Sequence, residues 1–222
     1  MKTNEKPAWF ITGTDTEVGK TFVACALLHA LRARGLTALG MKPVAAGLDA
    51  DGKNDDVEQL IAASSRQAPR ELVCPYVFHA AVAPHIAAAE EGRTIALDRI
   101  VAAFAQLREQ ADTVLVEGVG GFCVPLGPQE DTSDLAAALD LPIILVVGMR
   151  LGCINHALLT VQSIAARGLK LAGWVANRID PEMARFEENL AALQERIGAP
   201  LLGVVAHGVT PEQAASGLRL PD

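Results

Sequence analysis

Short apolar runs rich in β-branched residues alternate along the chain with longer stretches whose apolar residues recur every three or four positions. Trp9-Phe10-Ile11-Thr12 reads as a first strand. Thr21 to Arg34 places Phe22, Val23, Ala26, Leu27, Ala30 and Leu31 at helical spacing, and Gly35 ends that helix. Thr37 to Lys42 predicts a second strand, 43–55 a polar Gly/Asp-rich loop, and Asp55 to Ala63 a short helix. Cys74 to Phe78 fits either a strand or an extended loop. Pro84 opens a short helix ending near Gly92. Leu97 to Gln110 is amphipathic, with Ile100, Val101, Phe104 and Leu107 on one face. Thr113 to Val116 predicts a buried strand, followed by a glycine-rich turn at Gly118, Gly120 and Gly121. The second half continues the alternation. It predicts helices over Ser133 to Leu139, Asn155 to Arg167, Glu182 to Ile197 and Pro211 to Ser216, and strands over Ile143 to Val147, Leu171 to Ala176 and Leu201 to Val205.

This alternation predicts an α/β fold: a mostly parallel sheet of about seven strands with helices on both faces, in a single domain spanning residues 1–222. Ligands of such sheets bind at the carboxyl ends of the strands. Chemistry is therefore expected in the loops 12–21, 42–56, 117–128, 148–155, 177–181 and 206–212.

Composition narrows the function classes. With 19 Lys and Arg against 26 Asp and Glu, the net charge is −7. This is the wrong sign for a nucleic-acid binder, which needs a basic field to displace counterions. Half of the 222 residues are hydrophobic, which argues against disorder. The longest apolar segment, Leu141 to Met149, contains Pro142 and Gly148 and falls far short of the ~20 residues of a membrane span. The first residues lack the apolar core of a secretory signal. Cys25, Cys74, Cys123 and Cys153 are scattered without a CxxC pair, so reduced thiols and a cytoplasmic location are expected.

The first loop, Thr12-Gly13-Thr14-Asp15-Thr16-Glu17-Val18-Gly19-Lys20-Thr21, lies between a strand and a helix. It ends in Gly-Lys-Thr, as the phosphate-binding pattern G-x-x-x-x-G-K-[ST] does, although Thr14 stands where that pattern has its first glycine. Gly19 permits close backbone approach. The N–H groups of Glu17, Val18, Gly19, Lys20, Thr21 and Phe22 open onto a helix N-terminus that favours anions. Lys20 suits β- and γ-phosphates, and the Thr21 hydroxyl suits a Mg²⁺ shell. Hard cations prefer oxygen ligands. Glu117 directly follows a buried strand, in the place of a Walker B acid. Asp56 either joins the metal or belongs to an acidic helix start capped by Asn54 or Asp55.

The segments TGTDTEVGKT, MKPVAAG, VLVEGVGG, VVGMRLGCINH and LAGWVAN together resemble the dethiobiotin synthetases, from Phe10 to Gly217. The resemblance implies a P-loop NTPase fold and an ATP- and Mg²⁺-dependent reaction that converts 7,8-diaminononanoate and CO₂ into dethiobiotin, ADP and phosphate, a step of biotin biosynthesis. It implies a homodimer with the substrate site at the interface. By the same resemblance Thr21, Asp56 and Glu117 bind Mg²⁺, and Glu17 to Phe22 cradle the phosphates. Lys42, Lys20 and Thr16 are catalytic. Gly118, Val119 and Gly120 complete the nucleotide side, Asn177 and Arg178 meet the base, and Glu212 is a late nucleotide contact. Thr16, Lys42 and Ala46 face the substrate, and Cys153, Ile154 and Asn155 receive its carboxylate.

The chain departs from the pattern at three places. Ala46 stands where the family often has Ser, Arg178 follows Asn177 in place of Asp, and Ala206-His207-Gly208 replaces Pro-Trp-Leu. Two rival classes fit less well. A ParA/MinD-like switch has a further lysine near the start of its phosphate loop, where this chain has Thr12-Gly13-Thr14, and a basic amphipathic tail, where this chain has Arg219-Leu220-Pro221-Asp222. A glutamine-dependent amidoligase needs an added glutaminase region, for which this length leaves no room.

Overall fold

A computed structural model describes residues 6–221. In chain order the elements are β1 (Ala8–Gly13), α1 (Lys20–Ala33), β2 (Ala38–Met41), β3 (Val44–Ala46), α2 (Asp55–Ala63), α3 (Arg70–Val73), β4 (Tyr76–Phe78), α4 (Pro84–Glu90) and α5 (Leu97–Gln110), followed by β5 (Thr113–Glu117), α6 (Thr132–Leu139), β6 (Ile143–Gly148), α7 (Cys153–Ala166), β7 (Leu171–Asn177), α8 (Phe186–Arg196), β8 (Leu201–Val205) and α9 (Pro211–Ala215).

Six strands form one sheet in the order β2-β5-β1-β6-β7-β8, and every pairing in it is parallel. All six residues of β1 are buried, as expected of a strand covered on both faces. Alternate residues of β1 serve opposite cores. Phe10 packs with Leu39, Val114, Ile100 and Leu107 on one face. Trp9 and Ile11 pack with Leu27, Leu31 and Leu60 on the other. A third cluster joins Leu145, Trp174, Ala157 and Leu193 of β6, β7, α7 and α8.

Three expectations change. The sheet of about seven strands resolves into six strands and a separate parallel pair, β3 with β4. Val44–Ala46, read as part of a polar loop, is thus a strand, and the ambiguous 74–78 segment supplies its partner. Pairing between residues some thirty positions apart leaves no local periodicity to read. The last long helix begins at Phe186 rather than Glu182, because Asp180 accepts from the Glu182 N–H in a turn and Arg185 takes φ 58°.

Candidate active site

The phosphate loop joins the central strand β1 to α1. The residue that opens α1, Gly19, has φ 85°, and a Cβ there would lie 2.2 Å from Asn177 Nδ2, so this position requires glycine. Glu17 also adopts a left-handed conformation, at φ 60°. The first main-chain bond of the helix runs from Val23 N–H to the Gly19 carbonyl. The N–H groups of Glu17 to Phe22 precede it, and no acidic side chain sits in the first turn. This end of α1 is therefore an anion seat. Lys20 is buried, and its Nζ donates to the Asp15 carbonyl at 2.8 Å. Burial, followed by the nearby charge of Lys42, pulls its pKa down to about 8.

Lys42 and Glu117 stand at the carboxyl ends of neighbouring strands. Met41 of β2 registers with Val116 of β5, so Lys42, just past β2, stands beside Glu117, the last residue of β5. Lys42 Nζ donates to Glu117 Oε1 and, at 2.9 Å, to Asp56 Oδ2. Burial alone would lower the Lys42 pKa, but the two carboxylates outweigh it and the net shift is upward. For Asp56 burial pushes upward, and the Lys42 charge prevails to hold the carboxyl below its usual range. Thr21 Oγ1 donates to Glu117 Oε1 at 2.8 Å. Glu117 Oε2 is buried without a hydrogen-bond partner among the described residues. Asn54, not Asp55, caps α2, which leaves Asp56 in the first turn facing Lys42. An orphaned carboxylate oxygen, a second carboxylate and a hydroxyl are hard oxygen donors that fit Mg²⁺.

Two adjoining hollows share Glu17, Gly19 and Phe22. The larger, about 850 Å³, is lined by Thr16, Lys20, Thr21, Lys42, Ala46, Asp56, Glu117, Val119 and Gly120. The smaller, about 270 Å³, holds Asn177, Arg178 and the 205–209 segment. Val119 and Gly120 thus border the hollow that holds Lys42 rather than the one that holds Asn177. Gly120 needs its φ of 63°, and a Cβ there would meet Val124 Cγ2 at 2.8 Å.

Other expected residues make contacts of their own. The Val18 side chain is buried, and its carbonyl accepts from Asn177 Nδ2 at 2.8 Å. One donor of the Asn177 amide is therefore spent on the phosphate loop. Gly118 packs beneath the site, where its N–H donates to Ile11 and an added Cβ would meet the Phe10 ring. The Arg178 guanidinium is turned to the Pro181 carbonyl at 2.9 Å and lies 4.9 Å from the Phe186 ring. The Glu212 carboxylate lies 3.2 Å from His29 Nε2 and lines neither hollow. Cys153, Ile154 and Asn155 form the first turn of α7 behind Gly152 at φ 95°, and also line neither hollow. Cys153 is buried, which raises its thiol pKa, so the helix start does not acidify it.

The sequence did not single out the wall formed by Ala81, Val82, Ala83 and Pro84, nor Gln59 and Val124. The wall follows β4, so it too is a loop at a strand end. It stays hidden as long as Cys74 to Phe78 is not recognised as a strand.

An AAA-domain family model matches residues 8–210. The ATP-dependent dethiobiotin synthetase BioD of Aromatoleum aromaticum is 64% identical over 222 residues, covering 98% of this chain and 99% of the relative. This chain belongs to the dethiobiotin synthetase family. The Xylella fastidiosa synthetase is 52% identical over 217 residues, covering 95% of this chain and 96% of its own. Among solved structures, a ParA family ATPase from Chlorobium tepidum aligns with a TM-score of 0.58 at 14% identity, over 92% of this chain and 85% of that one. The signal recognition particle receptor FtsY of Elizabethkingia anophelis aligns at 0.56 and 16% identity, over 99% of this chain but only 63% of the receptor. These two likenesses concern the fold alone. The dethiobiotin synthetase relatives have the length of this chain and the rival ParA/MinD class shares only its architecture. Among the described residues no helix is long and apolar enough to cross a membrane.

Proposed function

We propose that this dethiobiotin synthetase family member joins 7,8-diaminononanoate and CO₂ at the expense of ATP, forming dethiobiotin, ADP and phosphate, and that the described fold works as one unit in doing so. The observation that carries this reading is the convergence of Lys42, Glu117, Asp56 and Thr21 beside the phosphate loop.

The Glu17 to Phe22 amides and Lys20 hold the polyphosphate. Thr21, Asp56 and Glu117 hold Mg²⁺, which neutralises phosphate charge when bound. One substrate amine is carboxylated to a carbamate, whose oxygen attacks the γ-phosphate and releases ADP. The second amine then attacks the carbamoyl carbon, expels phosphate and closes the cyclic urea. Lys42 and Thr16 face this chemistry from the larger hollow. The Lys42 ammonium opposes negative charge on both the carbamate and the transferring phosphoryl group, so the protein contributes position and charge compensation. Asn177 and the 206–209 segment border the base, and Arg178, anchored on Phe186, sets one rim of that pocket.

Cys153, Ile154 and Asn155 receive the substrate carboxylate from a second subunit in a homodimer, in the cytoplasm. Supporting this, the outer side of the α7 region exposes Leu151 at 91% and Leu159 at 57%. Light scattering at twice the monomer mass is the expected result. ADP release that depends on both the diamine and bicarbonate is the test of the reaction. ADP release indifferent to the diamine would count against it.

A further inference from the structure

Asp15 makes three separate contacts at the crest of the phosphate loop. Its main-chain carbonyl accepts from Lys20 Nζ at 2.8 Å. Its Oδ1 accepts from the Thr16 N–H at 2.8 Å. Its Oδ2 pairs with Arg150 at 2.6 Å, across 135 residues of chain. Arg150 belongs to the turn between β6 and α7, and its own carbonyl accepts from the Cys153 N–H at 3.0 Å. The neighbouring Met149 N–H is held by the Asn177 carbonyl at 2.8 Å. On the far side of the crest, Asn177 Nδ2 holds the Val18 carbonyl. The left-handed Glu17 is therefore pinned from both sides, by Asp15 with Arg150 and by Asn177. A non-glycine residue in that conformation persists only where its surroundings over-determine it.

Both partners of the ion pair are nearly half exposed, with side chains 43% and 45% accessible. Such pairs contribute little to global stability, so the contact matters for where it holds the loop. It fastens the residue before Thr16 to the turn that opens α7. We propose that Arg150 is a positioning residue. Acting through Asp15, it sets the Thr16 and Glu17 crest relative to the reacting groups and ties the phosphate cradle to the α7 turn. The proposal deepens the reaction reading above and rests on it for its kinetic consequence alone.

The test compares the full chain with Arg150→Met, Asp15→Asn, the double variant and Arg150→Lys. Three readouts are taken: amide hydrogen exchange of the 13–18 segment, urea formation, and ATP binding. Either single variant is expected to speed exchange in that segment, with α5 and β7 unchanged. Misplacement of reacting groups is costly, so kcat falls about 10-fold while ATP affinity stays within about 3-fold, because the helix N-terminus and Lys20 remain. Arg150→Lys restores most of kcat by keeping the charge. The double variant loses no more than the worse single variant, as expected of two groups acting as a unit. Unchanged exchange in Arg150→Met overturns the proposal, and so do losses that multiply in the double variant. If the unaltered protein forms no urea, the reaction reading fails by itself and the exchange data alone decide the clamp.

Discussion

The ammonium of Lys42 donates to the carboxylate of Glu117, 75 residues further along the chain. Parallel pairing of β2 with β5 makes them neighbours, and Asp56 completes the neutralisation from the first turn of α2. Two carboxylates thus flank one ammonium, with Lys42 and Glu117 buried and Asp56 open to the larger hollow, so the proposed metal ligands and the proposed catalytic lysine share one corner.

Replacing Lys42 separates transition-state stabilisation from binding. Lys42→Ala is expected to lower kcat by about 10²–10³-fold, the range for removing a preorganised electrostatic group. ATP affinity, carried by the loop amides and Lys20, is expected to move far less. Steady-state kinetics with a separate nucleotide titration checks this. Equal losses in both would recast Lys42 as a group that binds ground and transition states alike.

Among the described residues Glu117 Oε2 has no hydrogen-bond partner, so Glu117→Gln tests the metal reading. The Mg²⁺ needed for half-maximal turnover is expected to rise at least about 10-fold, the scale on which coordination-shell changes weaken metal sites. Chelation with EDTA is expected to abolish turnover. An unaltered Mg²⁺ dependence in Glu117→Gln would remove that residue from the metal site.

Asn177 joins the smaller hollow, the proposed nucleotide pocket, to the phosphate loop through the Val18 carbonyl. Asn177→Ala leaves that carbonyl without its donor, a cost of about 1–3 kcal/mol. The KM for ATP is expected to rise roughly 10-fold or more, with a smaller effect on kcat. Gly19→Ala is expected to abolish nucleotide binding, because its Cβ would collide with the same amide. A nucleotide affinity unchanged in both variants would contradict this arrangement.

Thiol labelling tests the burial pattern independently of catalysis. Cys25 and Cys74 have pKa values pushed up to about 12, chiefly by burial, and Cys153 is shifted upward for the same reason. All three are therefore protonated and shielded at pH 8. Cys123 is the exposed one. Iodoacetamide is expected to modify Cys123 first in the native protein, and Cys123→Ser to remove the fast phase. Fast labelling of Cys25 would mean that the α1 side of the core opens readily.

Where sequence neighbours decide structure, the chain was legible. Asp55–Ala63, Leu97–Gln110 and Leu201–Val205 fold over the residues their periodicity indicates. Gly19, Lys20 and Thr21 announce their role by position between a strand and a helix. What depends on long-range pairing was not legible. The three-residue strand Val44–Ala46 exists only because Tyr76–Phe78 lies beside it. Lys42 stands out in the sequence by resemblance alone; its contact with Glu117 arises from the register of β2 with β5, and its contact with Asp56 from the first turn of α2. Arg150 carried no local signal, since its partner lies 135 residues away. The Asn177 amide, assigned to the base, also serves the loop backbone, a use that a residue type cannot disclose.

Carbon transfer is the most direct test of the central claim. The purified protein is incubated with 7,8-diaminononanoate, ¹³C-bicarbonate and Mg-ATP, and the products are read by mass spectrometry. The expected result is a cyclic urea carrying one labelled carbon, with one ADP released for each urea formed. ADP release without a labelled urea would contradict the account.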